Sequence, residues 1–105
     1  MKRAPAHLSR KAKRLWKTIC NDFQNFDKYA LLILETALQA HDRLEQAREI
    51  IDREGLTITN PTSGNTRANP ALQIEKDSRQ AFLSAMRLLG LNIEPPGPIG
   101  RPPGS

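Results

Sequence analysis

The 105-residue sequence is poor in the residues from which chemistry is usually built. It has one cysteine, Cys20, which excludes an internal disulfide and a Cys-rich metal site and makes a reducing compartment the natural reading. The two histidines, His7 and His41, lie far apart with no cysteine or carboxylate cluster at ligand spacing, and His41 reads as a surface side chain. Gly64 stands alone, with no Lys-Ser or Lys-Thr pair at phosphate-loop spacing, which argues against nucleotide binding by that route. Nowhere do roughly eighteen apolar residues run together, and the first residues lack a signal peptide's apolar stretch. A soluble cytoplasmic chain without a membrane partner is therefore expected. Aromatic residues are few: Trp16, Phe23, Phe26, Tyr29 and Phe82. The length suits one domain with a modest core, for which help from neighbouring subunits is no surprise.

Acid is missing from one region. The segment 1–21 carries Lys2, Arg3, Arg10, Lys11, Lys13, Arg14 and Lys17 and no Asp or Glu, whereas the rest of the chain is slightly acidic. The net charge of +5 thus belongs wholly to the N-terminal fifth. A concentrated positive charge attracts polyanions, with nucleic acid the commonest, although a charge run can also serve only as a solubilising tail.

Periodicity predicts an all-α fold with three main helices, over about 8–24, 27–54 and 70–89. In the first, Leu8, Ala12, Leu15, Trp16, Ile19 and Phe23 share an arc of about 100°, and Arg10, Lys13, Arg14 and Lys17 share the opposite arc. Pro5 and Ser9 suit its entry. Asp27 caps the long central helix, which meets no Gly or Pro before Gly55. Along it Ala30, Ile33, Ala37, Ala40, Leu44, Ala47 and Ile51 step by three and four, a heptad-like seam rich in alanine that admits a close neighbour. A second face carries Leu31, Leu34 and Leu38, then Asp42, Glu45, Glu49 and Asp52, so the first half must be sandwiched and the second half bears an acidic stripe. Between residues 56 and 69, β-branched alternation and the Asn-Pro and Ser-Gly-Asn turn signals suit a loop or a short β-hairpin. Asn69 caps the third helix with Pro70 at its first position, and Gly90 ends it. The remainder, NIEPPGPIGRPPGS, is a Pro/Gly-rich tail with the composition of a disordered or extended segment. The domain organisation expected is a flexible basic arm (1–7), a helical domain for DNA binding and oligomerisation (8–91) and the tail (92–105).

Neither catalysis nor a cofactor is expected. Cys20 reads as a small core residue at the edge of the first helix's apolar arc. A di-metal helical site needs Glu-x-x-His pairs on facing helices, and neither histidine supplies one, so no metal is expected at the acidic stripe. Arg43, Arg48 and Arg53 lie close by and favour ion pairing instead, such as Glu49 with Arg53. The stripe also repels DNA, which would lie against the first helix. A helix-turn-helix reader is disfavoured, because the second helix opens with Leu31, Leu32, Ile33 and Leu34, which cannot hydrogen-bond base edges.

Leu15-Trp16-x-x-Ile19, the Asp27 start of a long Ala/Leu helix, Gly55-Leu56-Thr57, Ser63-Gly64, Arg67-Ala68-Asn69-Pro70 and Leu88-Leu89-Gly90-Leu91 follow one another in an order and spacing that resemble a known family. It is the small subunit of tailed-phage DNA-packaging terminases, in its compact single-domain branch, with the resemblance covering about residues 8–91. The resemblance implies a non-catalytic subunit that recognises the viral genome at its packaging start, forms rings and hands DNA to a large subunit holding the ATPase and nuclease. Double-stranded DNA, the large terminase subunit and further copies of the chain would be its partners, with no small-molecule substrate, in the cytoplasm of the host bacterium. Many members carry a separate helix-turn-helix domain, for which this chain has no room. Lys2, Arg3, Arg10, Lys11, Lys13, Arg14 and Lys17 are the expected DNA contacts, and the Ala30–Ile51 seam is the expected oligomerisation surface. A dimeric transcription regulator and a protein-only helical adaptor are the competing readings.

Overall fold

The computed structural model describes residues 3–23 and 25–91. Lys2 of the expected basic arm and the Pro/Gly-rich tail from residue 92 onward lie outside the described residues. Three helices, α1 (Arg10–Asp22), α2 (Lys28–Glu54) and α3 (Ala71–Leu88), carry the fold. Between α2 and α3 lies a hairpin of β1 (Thr57–Thr59) and β2 (Thr66–Ala68).

Each helix starts and stops where the local chemistry dictates. The Ser9 hydroxyl accepts the Ala12 N–H and opens α1, so Leu8 lies just before the helix yet remains buried. The Asp27 carboxylate accepts the Ala30 N–H at 2.8 Å and opens α2, which runs 27 residues, about 40 Å at the α-helical rise. Gly90, at φ +76°, closes α3: its N–H donates to the Arg87 carbonyl and the Leu91 N–H reaches the Met86 carbonyl, both at 2.9 Å. This is the Schellman arrangement, completed by the burial of Leu91 with Met86.

α2 and α3 pack along their length as an antiparallel pair, with Arg48 opposite Glu75 and His41 edge-on to Phe82. α1 folds back across the N-terminal half of α2. Leu34, Ala37 and Leu38 are wholly buried there, in one core with Leu8, Ala12, Trp16, Phe82, Ala85 and Met86. The expected sandwiching of this half of α2 is what forms. Each Leu so enclosed contributes about 1.5–3 kcal/mol of hydrophobic stabilisation.

β1 and β2 pair antiparallel with Ile58 opposite Arg67. The connecting loop is wound around Asn60, whose Oδ1 accepts the Thr62 and Ser63 N–H groups at 2.8 and 3.3 Å. A two-stranded ribbon is marginal alone, and this one is tied down by Asn69. That side chain is 2% exposed; its Nδ2 donates to the Gly55 carbonyl at 2.9 Å and its Oδ1 accepts the Ala71 N–H at 3.0 Å. One residue therefore caps α3, as the sequence predicts, and also clamps the hairpin base to the end of α2.

Candidate nucleic-acid interface

α1 is an amphipathic helix laid on its apolar side. Ala12 is fully buried and lets the two helix backbones approach, while Trp16 fills the space beside it. Three polar contacts fix the N-terminal end of α1 on α2. The Ser9 N–H and hydroxyl both donate to the Asp42 carboxylate, the former at 2.9 Å. Lys11 donates to Glu45, and His7 meets Glu35 at 2.7 Å. Asp42 thus sits at the first turn of α1, where the helix dipole favours a negative charge.

The acidic stripe of α2 consequently divides. Asp42 and Glu45 serve as anchors for α1, whereas Glu49 and Asp52 stay exposed. The Lys11 hydrogen bond holds the Glu45 carboxyl below its usual range, outweighing partial desolvation. Arg53 pairs with the adjacent Glu54 at 3.6 Å rather than with Glu49, and Arg48 reaches across to Glu75 on α3 at 3.4 Å. His41 is not the surface histidine of the sequence reading. Its ring lies edge-on to Phe82 at 5.1 Å, its Nδ1 is buried without a hydrogen-bond partner, and burial lowers its pKa below 6.5. Periodicity placed His41 beside acids, but only the packing of α3 against α2 brings Phe82 to it. Cys20 is half-buried, and burial pushes its thiol up, as suits a small packing residue.

Tethering one side of α1 turns its other side outward. Arg10, Lys13, Arg14 and Lys17 are all exposed and make no ion pair among the described residues. Arg3 is exposed in the segment before the helix, and Lys11 is exposed but engaged by Glu45. Of the seven cations expected to contact DNA, the fold thus brings four into a single cationic face. That face spans about 10 Å along the helix at 1.5 Å per residue, the axial rise of roughly three successive phosphates on one strand of a duplex.

The seam residues have a different fate. Ala37, Leu44 and Ala47 are buried within the chain, chiefly by α3, while Ala30, Ile33, Ala40 and Ile51 are half-buried. Ala37 and Ala47 therefore have their close neighbours within the chain itself.

A hollow of about 530 Å³ on the hairpin is lined by Ile58, Thr59, Asn60, Pro61, Ser63, Asn65 and Arg67, which include no acid or base capable of proton transfer near neutrality. Among the described residues no three His, Cys, Asp or Glu side chains gather as a metal site, and no helix is long and apolar enough to cross a membrane.

Fold and surface together define a small three-helix protein whose most distinctive feature is an outward cationic helix. Residues 12–96 match the family described as phage terminase, small subunit, and the chain belongs to that family. Neither a curated protein nor a solved structure matches it. Family membership ties the chain to phage DNA packaging.

Proposed function

We propose that this chain is a non-catalytic terminase subunit that binds double-stranded viral DNA at the packaging start through α1. It assembles with further copies of itself, as a ring, and recruits or regulates the large ATPase/nuclease subunit in the cytoplasm of the host bacterium. The observation that carries the DNA-binding part is the face of Arg10, Lys13, Arg14 and Lys17, exposed and without an ion pair among the described residues. Four cations on one helix make sequence-independent phosphate contacts; repetition around an assembly multiplies them by avidity. Arg3 and Lys2 extend the same charge toward the N-terminus. A subunit of this kind leaves the chemistry to its partner.

Duplex binding measured by fluorescence anisotropy over a salt series tests this reading. Each phosphate contact removed should flatten the slope of log affinity against log salt by about 0.9, so Arg14→Glu with Lys17→Glu should reduce it by close to two contacts' worth. Unchanged affinity and slope in that double variant would remove α1 from the DNA interface.

A further inference from the structure

α1 covers one side of the α2–α3 pair and leaves the other side open. On the open side Thr36, Ala40, Ser78 and Ala81 line a shallow depression of about 350 Å³ with Arg43 and Asp77 at its sides. Tyr29 and Leu32 stand two turns and one turn before Thr36 on α2, and Leu88 stands two turns after Ala81 on α3. These three are 64%, 60% and 75% exposed. Single exposed apolar residues are ordinary, but several at one end of one groove form a patch. That end is also where the chain leaves the helical fold. Arg48 lies level with Glu75 and His41 with Phe82, and the same antiparallel register carried onward sets Leu91 level with Leu32. Leu91 is buried there with its N–H on the Met86 carbonyl, so residue 92 follows from the mouth of the groove.

The segment 92–105 matches this groove in chemistry, charge and length. It contains five prolines, Pro95, Pro96, Pro98, Pro102 and Pro103. Proline has no N–H and favours an extended backbone, so such a segment lies on an apolar face without stranding donors and loses little freedom in doing so. An exposed tyrosine at the mouth is a surface on which proline rings pack. The segment carries one acid, Glu94, and one base, Arg101, while the groove offers one base, Arg43, and one acid, Asp77. Arg43 makes no ion pair among the described residues, and Asp77 accepts a hydrogen bond only from Gln73 among them, at 2.8 Å. We infer that the chain's own C-terminal segment lies back along this groove as a strap, with Glu94 on Arg43 and Arg101 beside Asp77. Arg43 is about 16 Å along α2 from Leu32, and three extended residues carry Glu94 about 10 Å of that way, leaving two long side chains to close the rest. Asp77 lies about 21 Å back along α3 from Leu91, whereas ten residues of polyproline helix extend about 31 Å. Gly97 and Gly100 let the slack be taken up. Attachment at the mouth of the groove gives the strap an effective concentration that a separate molecule lacks. The strap is independent of the DNA-binding and ring readings above, and anything else that binds this face must first displace it.

Hydroxyl-radical footprinting of the full chain, read by mass spectrometry, tests the strap. Tyr29, Leu32 and Leu88 should react severalfold more slowly than in a variant of the same length with residues 92–105 replaced by Gly and Ser. Arg43→Glu and Glu94→Arg should each lose that protection, and the two combined should regain it, because the exchange restores an opposite pair. Circular dichroism should show full helicity throughout. No protection in the unsubstituted chain would overturn the strap, and protection that outlasts replacement of the segment would do so too by assigning the cover to another molecule. Protection that needs the segment but ignores both charge variants would overturn the Glu94–Arg43 register. Protection that fades on dilution in step with the mass of any assembly would overturn docking within one chain.

Discussion

The two halves of α2 belong to one unbroken helix but live in different surroundings. In the first half, Leu34, Ala37 and Leu38 are wholly enclosed, with α1 on one side and α3 on another. In the second half only Leu44 and Ala47 are buried, outside that shared core, and Glu49 and Asp52 face water. Helix propensity does not distinguish the halves. What differs is the second face, apolar up to Leu38 and acidic from Asp42 onward, and this switch sets where α1 docks. The cationic face therefore rests on the best-packed part of the molecule, whereas the hairpin hangs from the thinner end by Asn69.

Unfolding by denaturant is the most direct way to break this comparison. Trp16→Ala, which opens the doubly covered half, should cost about 3–5 kcal/mol, against about 2 kcal/mol for Leu44→Ala in the second half. Equal losses would mean that α1 adds little to the core. At the other end, Asn69→Ala leaves the Gly55 carbonyl and the Ala71 N–H without their side-chain partner and should cost about 2 kcal/mol. Faster amide exchange of β1 and β2 relative to α1 should accompany it; uniform acceleration would mean that the hairpin is not held separately.

The smallest effect is that of pH, and it sharpens where the halves meet. Burial depresses the His41 pKa, so the folded state binds a proton less readily than the unfolded chain. The stability held by neutral His41 is complete above its unfolded value of 6.5 and is lost as pH falls below it. Glu45 and Asp42 oppose that shift, while Lys11 and Arg48 reinforce it. The Lys11–Glu45 contact behaves alike in sign: the depressed Glu45 pKa preserves it above 4.5 and lets it go at lower pH. The melting temperature should thus fall between about pH 7 and pH 5, and His41→Leu should flatten that fall. A slope unchanged in the variant would assign the titration to another group.

Much of this was legible in the chain. Ser9, Asp27, Asn69 and Gly90 mark helix ends because their short side chains or missing Cβ satisfy terminal backbone groups locally, with no need of distant partners. The opposed apolar and basic arcs of α1 were equally plain, since a helix of known period places side chains by arithmetic. The fate of the alanine seam was not. Periodicity says that Ala37, Leu44 and Ala47 face a neighbour, but not whether that neighbour is α3 or another molecule. The surface reading of His41 failed for the same reason, and the Lys11–Glu45 pair was hidden by it: each has its partner, Phe82 or Glu45, more than thirty residues away on another helix.

The sequence by itself determined three helices, their caps, the turn between β1 and β2 and the concentration of charge on α1, all consequences of interactions spanning a few residues. Tertiary structure decided which cations stay free. Packing Ala12 and Trp16 against α2 brings Lys11 to Glu45 and leaves Arg10, Lys13, Arg14 and Lys17 facing water. It also decided which apolar side of α2 is used up internally and which remains open, because that choice depends on how three helices share one small core.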